Sequence, residues 1–140
     1  MSESNELRVS IPSESLDQIA AHAFACFPEE CCGLLVGDRA TNTTVRFVPT
    51  TNVAHSAKVY TIDPKEHLRA ELAAEADGLE VIGVVHSHTH TEAYPSPTDV
   101  AQAVDPGWHY VIVTIMRGVA EPRSYLIADG GITEEVIVPA

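Results

Sequence analysis

The sequence predicts a single α+β (mixed α/β) domain, residues 1–140, in which a central β-sheet is flanked by helices. Its length is close to the commonest size of one domain, and 45% of its residues are hydrophobic, which suffices for one buried core. Two segments place apolar residues at helical spacing, and several short apolar or alternating runs indicate strands. No linker or internal repeat divides the chain, so these elements are expected to share one core.

The first expected helix covers residues 11–27, because its apolar side chains recur at spacings of three and four and Pro28 then ends it. His22 is one position off this stripe and is therefore expected on the helix surface. The stripe itself consists of Leu16, Ile19, Ala20, Ala23, Phe24 and Phe27.

A second helix is expected from Asp63-Pro64, where an N-cap residue and a proline are followed three residues later by Glu66. Gly78 ends this helix. A third helix start is indicated at Ser96-Pro97-Thr98-Asp99. The apolar positions of the second helix are Leu68, Leu72 and Ala76.

The remaining apolar runs predict strands, since they are four to seven residues long and rich in β-branched side chains. The run 81–85 is expected to be a buried central strand because it is continuously apolar. The turn Asp129-Gly130-Gly131 joins the last two strands. The predicted strands are residues 31–36, 43–48, 59–62, 81–85, 110–116, 124–128 and 132–138.

The charge balance argues against two classes of partner. The net charge is −12, and 8 lysines and arginines are scattered among 20 acidic residues. Binding to a phosphate backbone or an anionic membrane needs a basic patch, which this pattern does not supply. We therefore expect no nucleic-acid partner and no membrane partner. The acidity is interpreted as a device for solubility, with adaptation to high salt as the second interpretation.

The sequence also indicates a cytoplasmic protein. Residues 1–10 are polar and acidic and lack the apolar core of a secretory signal, and residues 81–85 are too short to span a bilayer. The odd number of crowded cysteines does not resemble a disulfide framework. Cys31 and Cys32 are expected to pack in the core, where free cysteine behaves as a small apolar residue.

The strongest chemical signal is His86-Ser87-His88, which directly follows the predicted strand 81–85. Residues two apart on a strand point to the same face, so the two imidazoles can present nitrogens to one metal ion. Asp99 follows eleven residues later, and a loop of that length can return its carboxylate to the histidines. Two imidazoles and a carboxylate leave a fourth position for water, as in catalytic zinc sites. A strand can also carry two histidines without any metal.

The pattern resembles the JAMM (MPN+) metalloisopeptidase family, whose motif is an early glutamate and then His-Ser/Thr-His, seven residues, Ser, two residues and Asp. Here His86-Ser87-His88 is followed by residues 89–95, then Ser96, two residues and Asp99. The family's glutamate lies three residues before a glycine, which selects Glu30. The resemblance covers nearly the whole chain and implies the JAMM/MPN (cytidine-deaminase-like) architecture.

The resemblance also implies a role for each motif residue. One Zn2+ per chain would be held by His86, His88 and Asp99, with a metal-bound water as nucleophile. Glu30 would act as the catalytic base, and Ser96 would donate a hydrogen bond to the developing oxyanion. Taken alone, Glu30 is also interpretable as a surface carboxylate and Ser96 as a helix N-cap. His90 shares the parity of the two histidines and is expected at the exposed rim.

Two further stretches make the chain similar to prokaryotic peptidases that release cysteine from a sulfur-carrier protein. One is residues 51–60 and the other is residues 91–96. The substrate implied is a ubiquitin-like (β-grasp) carrier with a C-terminal Gly-Gly tail. Residues in these stretches are expected either to bind the substrate or to support loops and core. The predicted substrate-binding residues are Asn52, Ser56, Tyr60 and Tyr94.

Three functions follow from the sequence. The first is hydrolysis of a carrier–cysteine amide. The second is an isopeptidase that removes a ubiquitin-like modifier from lysines of target proteins with the same zinc chemistry. The third belongs to another class, a non-catalytic scaffold that uses this fold to bind proteins. Zinc content and the activity of a Glu30→Gln variant distinguish the scaffold from the two enzymes.

Overall fold

The computed structural model describes residues 7–140. Residues 1–6, which form most of the polar N-terminal segment considered above, lie outside this range. No helix within the described range is long and apolar enough to cross a membrane.

Residues 7–140 form seven strands and three helices. The first strand, which the sequence analysis did not predict, precedes the first helix. In chain order the elements are β1 (Arg8–Ile11), α1 (Ser13–Cys26), β2 (Cys32–Asp38), β3 (Thr43–Thr50), α2 (Pro64–Ala76), β4 (Glu80–His88), α3 (Pro97–Gln102), β5 (His109–Thr114), β6 (Glu121–Ala128) and β7 (Gly131–Pro139).

The sheet is closed into a barrel with the strand order β1-β3-β2-β4-β5-β6-β7. Strand β1 closes it, because β1 pairs in parallel with β7 along its length and with β3 at one position. Strand β4 lies in the middle, antiparallel to β2 and parallel to β5. The fold class predicted from the sequence is therefore correct, and the closure through β1 is an addition to it.

Two apolar clusters form the core and lie on opposite sides of β5. Val111 and Val113 belong to the cluster beneath α1, whereas Tyr110 and Ile112 belong to the cluster beneath α2. This alternation follows from the two-residue period of a strand that is covered on both faces. Strand β4 is buried from Val81 to His88, so its end is rigidly held.

The prediction of a short strand at residues 59–62 is wrong. Ile62 forms an isolated bridge with Asn52, and no strand extends from it. The side chain of Asn52 instead accepts hydrogen bonds from the backbone N–H groups of Ala54 and Thr61, both at 3.0 Å. The segment 51–62 is thus a loop organised around one amide side chain, which satisfies backbone groups that a strand would have paired.

The prediction of which face of α2 packs against the core is also wrong. Leu68 and Leu72 are 58% and 57% exposed, whereas Ala70 and Ala74 are buried against the sheet. Small side chains allow the helix axis to lie close to β2 and β4, and the leucines are left on the outer face. The helix ends are as predicted, since Asp63 caps the first turn and Gly78 follows the last turn with φ of +71°.

Helix α1 keeps only part of its predicted stripe in the core. Ile19 and Ala23 are buried, whereas Phe24 and Phe27 are about half exposed. The expectation that His22 lies on the surface is wrong, because its ring is partly buried. Its Nε2 lies 3.0 Å from the carbonyl oxygen of Cys32 and 3.2 Å from that of Thr50. His22 therefore fastens α1 to β2 and β3.

The packing of α2 can be tested by paired substitutions on its two faces. We expect Leu72→Gln to change the free energy of unfolding by less than about 0.5 kcal/mol, because this side chain is exposed. Ala74→Leu should cost about 1–3 kcal/mol, because added methyl groups have no room beneath the helix. Urea denaturation of both variants measures the difference. A larger loss for Leu72→Gln than for Ala74→Leu would contradict the observed helix orientation.

Candidate active site

The two histidines of the motif lie at the carboxyl end of β4. His86 pairs with Cys32 of β2 on one side and with Ile112 of β5 on the other, and His88 pairs with Thr114. Both imidazoles are buried, with 2% and 5% of each residue exposed. Because neighbouring strands hold the backbone on both sides, the direction of these two rings is set before any ligand binds.

Asp99 reaches the histidines from the first turn of α3. Its Oδ2 lies 3.2 Å from Nε2 of His86 and 3.2 Å from Nε2 of His88. One atom from each of the three side chains therefore lies within 4.8 Å of the other two. The predicted ligand residues are thus brought together, although they are separated by a loop and a helix start.

Ser96 positions Asp99 through a capping box. The Oγ of Ser96 accepts a hydrogen bond from the backbone N–H of Asp99 at 3.1 Å, and Oδ2 of Asp99 accepts one from the backbone N–H of Ser96 at 2.9 Å. The N-cap interpretation of Ser96 is therefore correct. Because its oxygen is the acceptor in this contact, the hydroxyl proton is still available to donate elsewhere.

Electrostatics favour the metal-binding protonation state of His86 and Asp99, whereas the pKa of His88 is raised because its contacts with Asp99 and Glu92 outweigh burial. Burial lowers the pKa of His86, which favours the neutral imidazole. Burial opposes the charge of Asp99, but its contacts with His86 and His88 outweigh burial and hold its pKa well below the usual range. A neutral imidazole and an ionised carboxylate are the forms that bind metal ions.

The ring of His86 supplies an independent test of metal binding. Both of its nitrogens are buried: Nδ1 has no hydrogen-bond partner within the described residues, and Nε2 has only the contact with Oδ2 of Asp99 at 3.2 Å. Buried polar atoms are nearly always satisfied, so this ring fits a site built to hold a cation. Two imidazole nitrogens and one carboxylate oxygen form a donor set that suits zinc.

The second histidine is oriented by the loop that follows β4. The Nδ1 of His88 lies 2.7 Å from the carbonyl oxygen of Glu92 and donates to it, which leaves Nε2 for the metal. Thr114 holds this loop, since its hydroxyl lies 2.5 Å from the carbonyl oxygen of Thr91 and 3.3 Å from that of His88. Arg117 also contacts both carboxylate oxygens of Glu92, at 2.7 and 2.8 Å.

Glu30 lies beside the three ligand residues and shares a cavity of about 300 Å³ with His88 and Ser96. Its carboxylate is buried, and Oε1 has no hydrogen-bond partner within residues 7–140. Burial raises the pKa of Glu30 to about 8, with His88 lowering it and Asp99 raising it further. A carboxyl group with such a pKa can accept a proton and return it near neutral pH. The surface interpretation of Glu30 is therefore wrong.

The backbone around Glu30 is fastened to the loop 51–62. Its N–H donates to the carbonyl oxygen of Ser56 at 2.8 Å, and its carbonyl oxygen accepts the side-chain amide of Asn52 at 3.0 Å. The next residue, Cys31, donates its N–H to the hydroxyl of Ser87 at 2.7 Å. Ser87 points away from the metal ligands and ties β2 to β4 directly behind them.

The predicted substrate-binding residues occupy different environments. Asn52 is buried, and its side-chain amide is bonded to backbone groups of its own loop and of Glu30. The ring of Tyr60 stacks on His86 with centroids 4.4 Å apart. Tyr94 is 56% exposed and meets the ring of Tyr125 edge-on, so it is accessible beside the site. Direct contact of these residues with a substrate stays a prediction.

Two other sequence expectations concern this region. His90 is exposed, and its ring lies 6.1 Å from that of Phe27, outside the group of three ligand atoms. Cys31 and Cys32 are fully buried and free, as expected of core residues. Thr114 was not identified from the sequence, and the contacts of Ser87 and Glu92 were not predicted although both lie in the stretches considered, because nothing in a local pattern reveals contacts with distant residues.

Comparisons with known proteins agree with this arrangement. A family model described as prokaryotic homologs of the JAB domain matches residues 12–127. A CysO-cysteine peptidase from Mycobacterium tuberculosis is 41% identical over 129 residues, which cover 91% of this chain and 88% of that protein. A desampylase from Haloferax volcanii is 36% identical over 110 residues, covering 75% and 79%.

The fold is shared with solved structures as well. The solution structure of a protein from Desulfitobacterium hafniense superposes with a TM-score of 0.86 at 31% identity. The superposition covers 94% of this chain and 92% of that one. The likeness in sequence and in fold therefore extends over most of the chain.

The support that Thr114 gives to His88 predicts a metal-binding defect. Thr114→Val keeps the side-chain shape but removes both hydrogen bonds, and we expect about a 10- to 100-fold loss of zinc affinity. Competition with a chromophoric chelator measures this affinity. Thr133→Val on the exposed face of β7 is the matched control. Equal affinity of the two variants would contradict the role of Thr114.

The raised pKa of Glu30 predicts a pH-dependent stability difference in metal-free protein. The folded chain binds the Glu30 proton more tightly than the unfolded chain, so the stability contributed by the neutral carboxyl is lost as pH rises through about 8. Glu30→Gln should therefore raise the unfolding temperature at about pH 9 and change it little at about pH 5. Calorimetry in a chelating buffer measures both. An equal shift at the two pH values would contradict the burial argument.

Proposed function

This chain belongs to the prokaryotic JAB domain family and is a JAB-type peptidase, and from this premise we propose its substrate and its metal. The proposed reaction is zinc-dependent hydrolysis of the amide bond after the C-terminal Gly-Gly of a ubiquitin-like (β-grasp) sulfur-carrier protein, which releases cysteine. The observation that carries the proposal is the convergence of His86, His88 and Asp99 within 4.8 Å, beside a cavity that Glu30 and Ser96 line.

The roles of the residues follow from their positions. Zinc at this site would lower the pKa of a bound water toward about 7 and polarise the scissile carbonyl. Glu30 takes a proton from the attacking water and passes it to the leaving amine, for which its raised pKa is suited. Ser96 donates its hydroxyl proton to the carbonyl oxygen as negative charge develops there.

The relatives support cysteine release as the preferred reaction. The CysO-cysteine peptidase matches more of this chain, and at higher identity, than the desampylase does. A Gly-Gly tail fits a site whose ligands are buried at a strand end, since glycine lets the substrate backbone approach closely.

The three free cysteines are typical of a reducing compartment, and we propose a cytoplasmic location.

The second candidate is a deconjugase that removes a ubiquitin-like modifier from lysine side chains. The similarity to the Haloferax volcanii desampylase favours it, and the same metal site and base would serve. The two functions differ in the group that leaves, which is free cysteine in one case and a protein lysine in the other. The reaction chemistry at the carbonyl is the same, so only the substrate distinguishes them.

A direct comparison of substrates tests the proposal. Zinc-loaded protein is offered a β-grasp carrier ending in Gly-Gly-Cys and the same carrier joined through Gly-Gly to a lysine side chain, and both are followed by intact-mass spectrometry. We expect rapid loss of one cysteine and slow release of lysine. Preference for the lysine conjugate would establish the second candidate instead. Cleavage of neither would support the scaffold function, and Glu30→Gln provides the blank.

Replacement of Ser96 separates its two roles. Ser96→Ala should lower kcat by about 10²- to 10³-fold if the hydroxyl stabilises the oxyanion. The same change also removes a helix cap, so metal content and unfolding temperature are measured alongside. A loss of activity below about tenfold, with zinc retained, would assign Ser96 to the capping role alone.

A further inference from the structure

We propose that Lys58 binds the α-carboxylate of the departing amino acid and thereby selects carrier–amino acid amides over lysine side-chain conjugates. The inference rests on the proposed function and deepens it. Its basis is the place of Lys58 in the active-site cavity, the attachment of its backbone to that of Glu30, and the charge of the surrounding groups.

Lys58 lines the same cavity of about 300 Å³ as the proposed base and the proposed oxyanion donor. The other lining residues come from the segment before β2, from loop 51–62, from the end of β4 and from the loop that follows it. The complete lining is Glu30, Ala57, Lys58, His88, Thr89, His90, Thr91 and Ser96. Within residues 7–140, Lys58 is therefore the lysine or arginine that borders the reacting centre.

Ser56 holds Lys58 and Glu30 in a fixed relation. Its carbonyl oxygen accepts the N–H of Glu30 at 2.8 Å, and its hydroxyl accepts the N–H of Lys58 at 3.0 Å and that of Val59 at 3.3 Å. Asn52 adds to this attachment by donating to the carbonyl oxygens of Glu30 and Val59. Glu30 and Lys58 thus line the cavity from backbone segments that Ser56 joins by hydrogen bonds.

The charge pattern leaves Lys58 available for a substrate. The chain carries a net charge of −12, and four of its arginines are engaged with carboxylates on the surface. Lys58 has no carboxylate partner within 4.0 Å in the described part of the chain. The α-carboxylate of a substrate carries a negative charge, and a lysine on the cavity wall can form a charge-assisted hydrogen bond with it. Lys58 is that lysine.

The leaving nitrogen must lie near Glu30, and therefore on the side of the cavity that Lys58 lines. Water adds to the carbonyl carbon, the C–N bond breaks, and the proton taken by Glu30 goes to the leaving nitrogen, so the carrier departs as a carboxylate and the amino acid as an amine. Glu30 must therefore face that nitrogen. In a carrier–cysteine amide the α-carboxylate is two bonds from this nitrogen. In a lysine conjugate the same place holds uncharged methylene groups.

The test compares two substrates that differ by one charge. The carrier ending in Gly-Gly-Cys is offered beside the same carrier ending in Gly-Gly-cysteinamide, in which the carboxylate is neutral. We expect kcat/KM of the wild type to be about 10- to 100-fold higher for the acid. Lys58→Met should remove this preference by slowing hydrolysis of the acid about 10- to 100-fold more than hydrolysis of the amide, and Lys58→Arg should retain most of the preference.

Lys65→Met is the matched control, because Lys65 is an exposed lysine in the first turn of α2 and does not line the cavity. It should behave as the wild type with both substrates. Equal rates of the wild type on acid and amide would overturn the inference while leaving the proposed function intact. A Lys58→Met variant that keeps its full zinc content and loses kcat/KM equally for both substrates would also overturn the inference. Failure of the wild type to release any cysteine would instead overturn the proposed function, and the inference with it.

Discussion

The shared contact of two imidazoles with one oxygen of Asp99 is the interaction on which the site depends. That oxygen lies 3.2 Å from both Nε2 atoms and also accepts the backbone N–H of Ser96. It therefore joins the end of β4 to the beginning of α3, although the intervening loop has no regular structure. Because all three side chains are largely buried, the charge of the carboxylate is little screened, and the arrangement is favourable only if a cation or its equivalent completes it.

The loop between β4 and α3 is correspondingly well anchored. Thr114 holds its first residues, Arg117 holds Glu92, and the hydroxyl of Tyr125 donates to the carbonyl oxygen of Ala93. The carbonyl of Glu92 in turn orients His88. The geometry of the proposed ligands thus relies on residues of β5, of β6 and of the turn between them.

The burial of Glu30 lowers the folding stability of the protein. Its carboxyl is buried beside Asp99 with one oxygen unsatisfied, a situation that folding alone would avoid. Asn52 and Ser56 hold its backbone on one side, and Ser87 holds the following residue on the other. The loop 51–62 therefore holds the proposed base in position, and Lys58 of the same loop lines the cavity in which the leaving group is proposed to lie.

The fold class, most of the strands, the helix ends and the proposed metal ligands could be predicted from the sequence alone. These features follow from local rules, such as the period of a strand, the residues that cap a helix, and the spacing of donor side chains. Which face of α2 is buried was decided only by the tertiary structure, since the sheet accepts Ala70 and Ala74 and leaves Leu68 and Leu72 outside. The burial of Glu30, the contacts of Thr114 and the place of Lys58 in the cavity likewise depend on the tertiary structure. Their partners lie far along the chain, and burial and pairing between distant segments exist only after the barrel has closed.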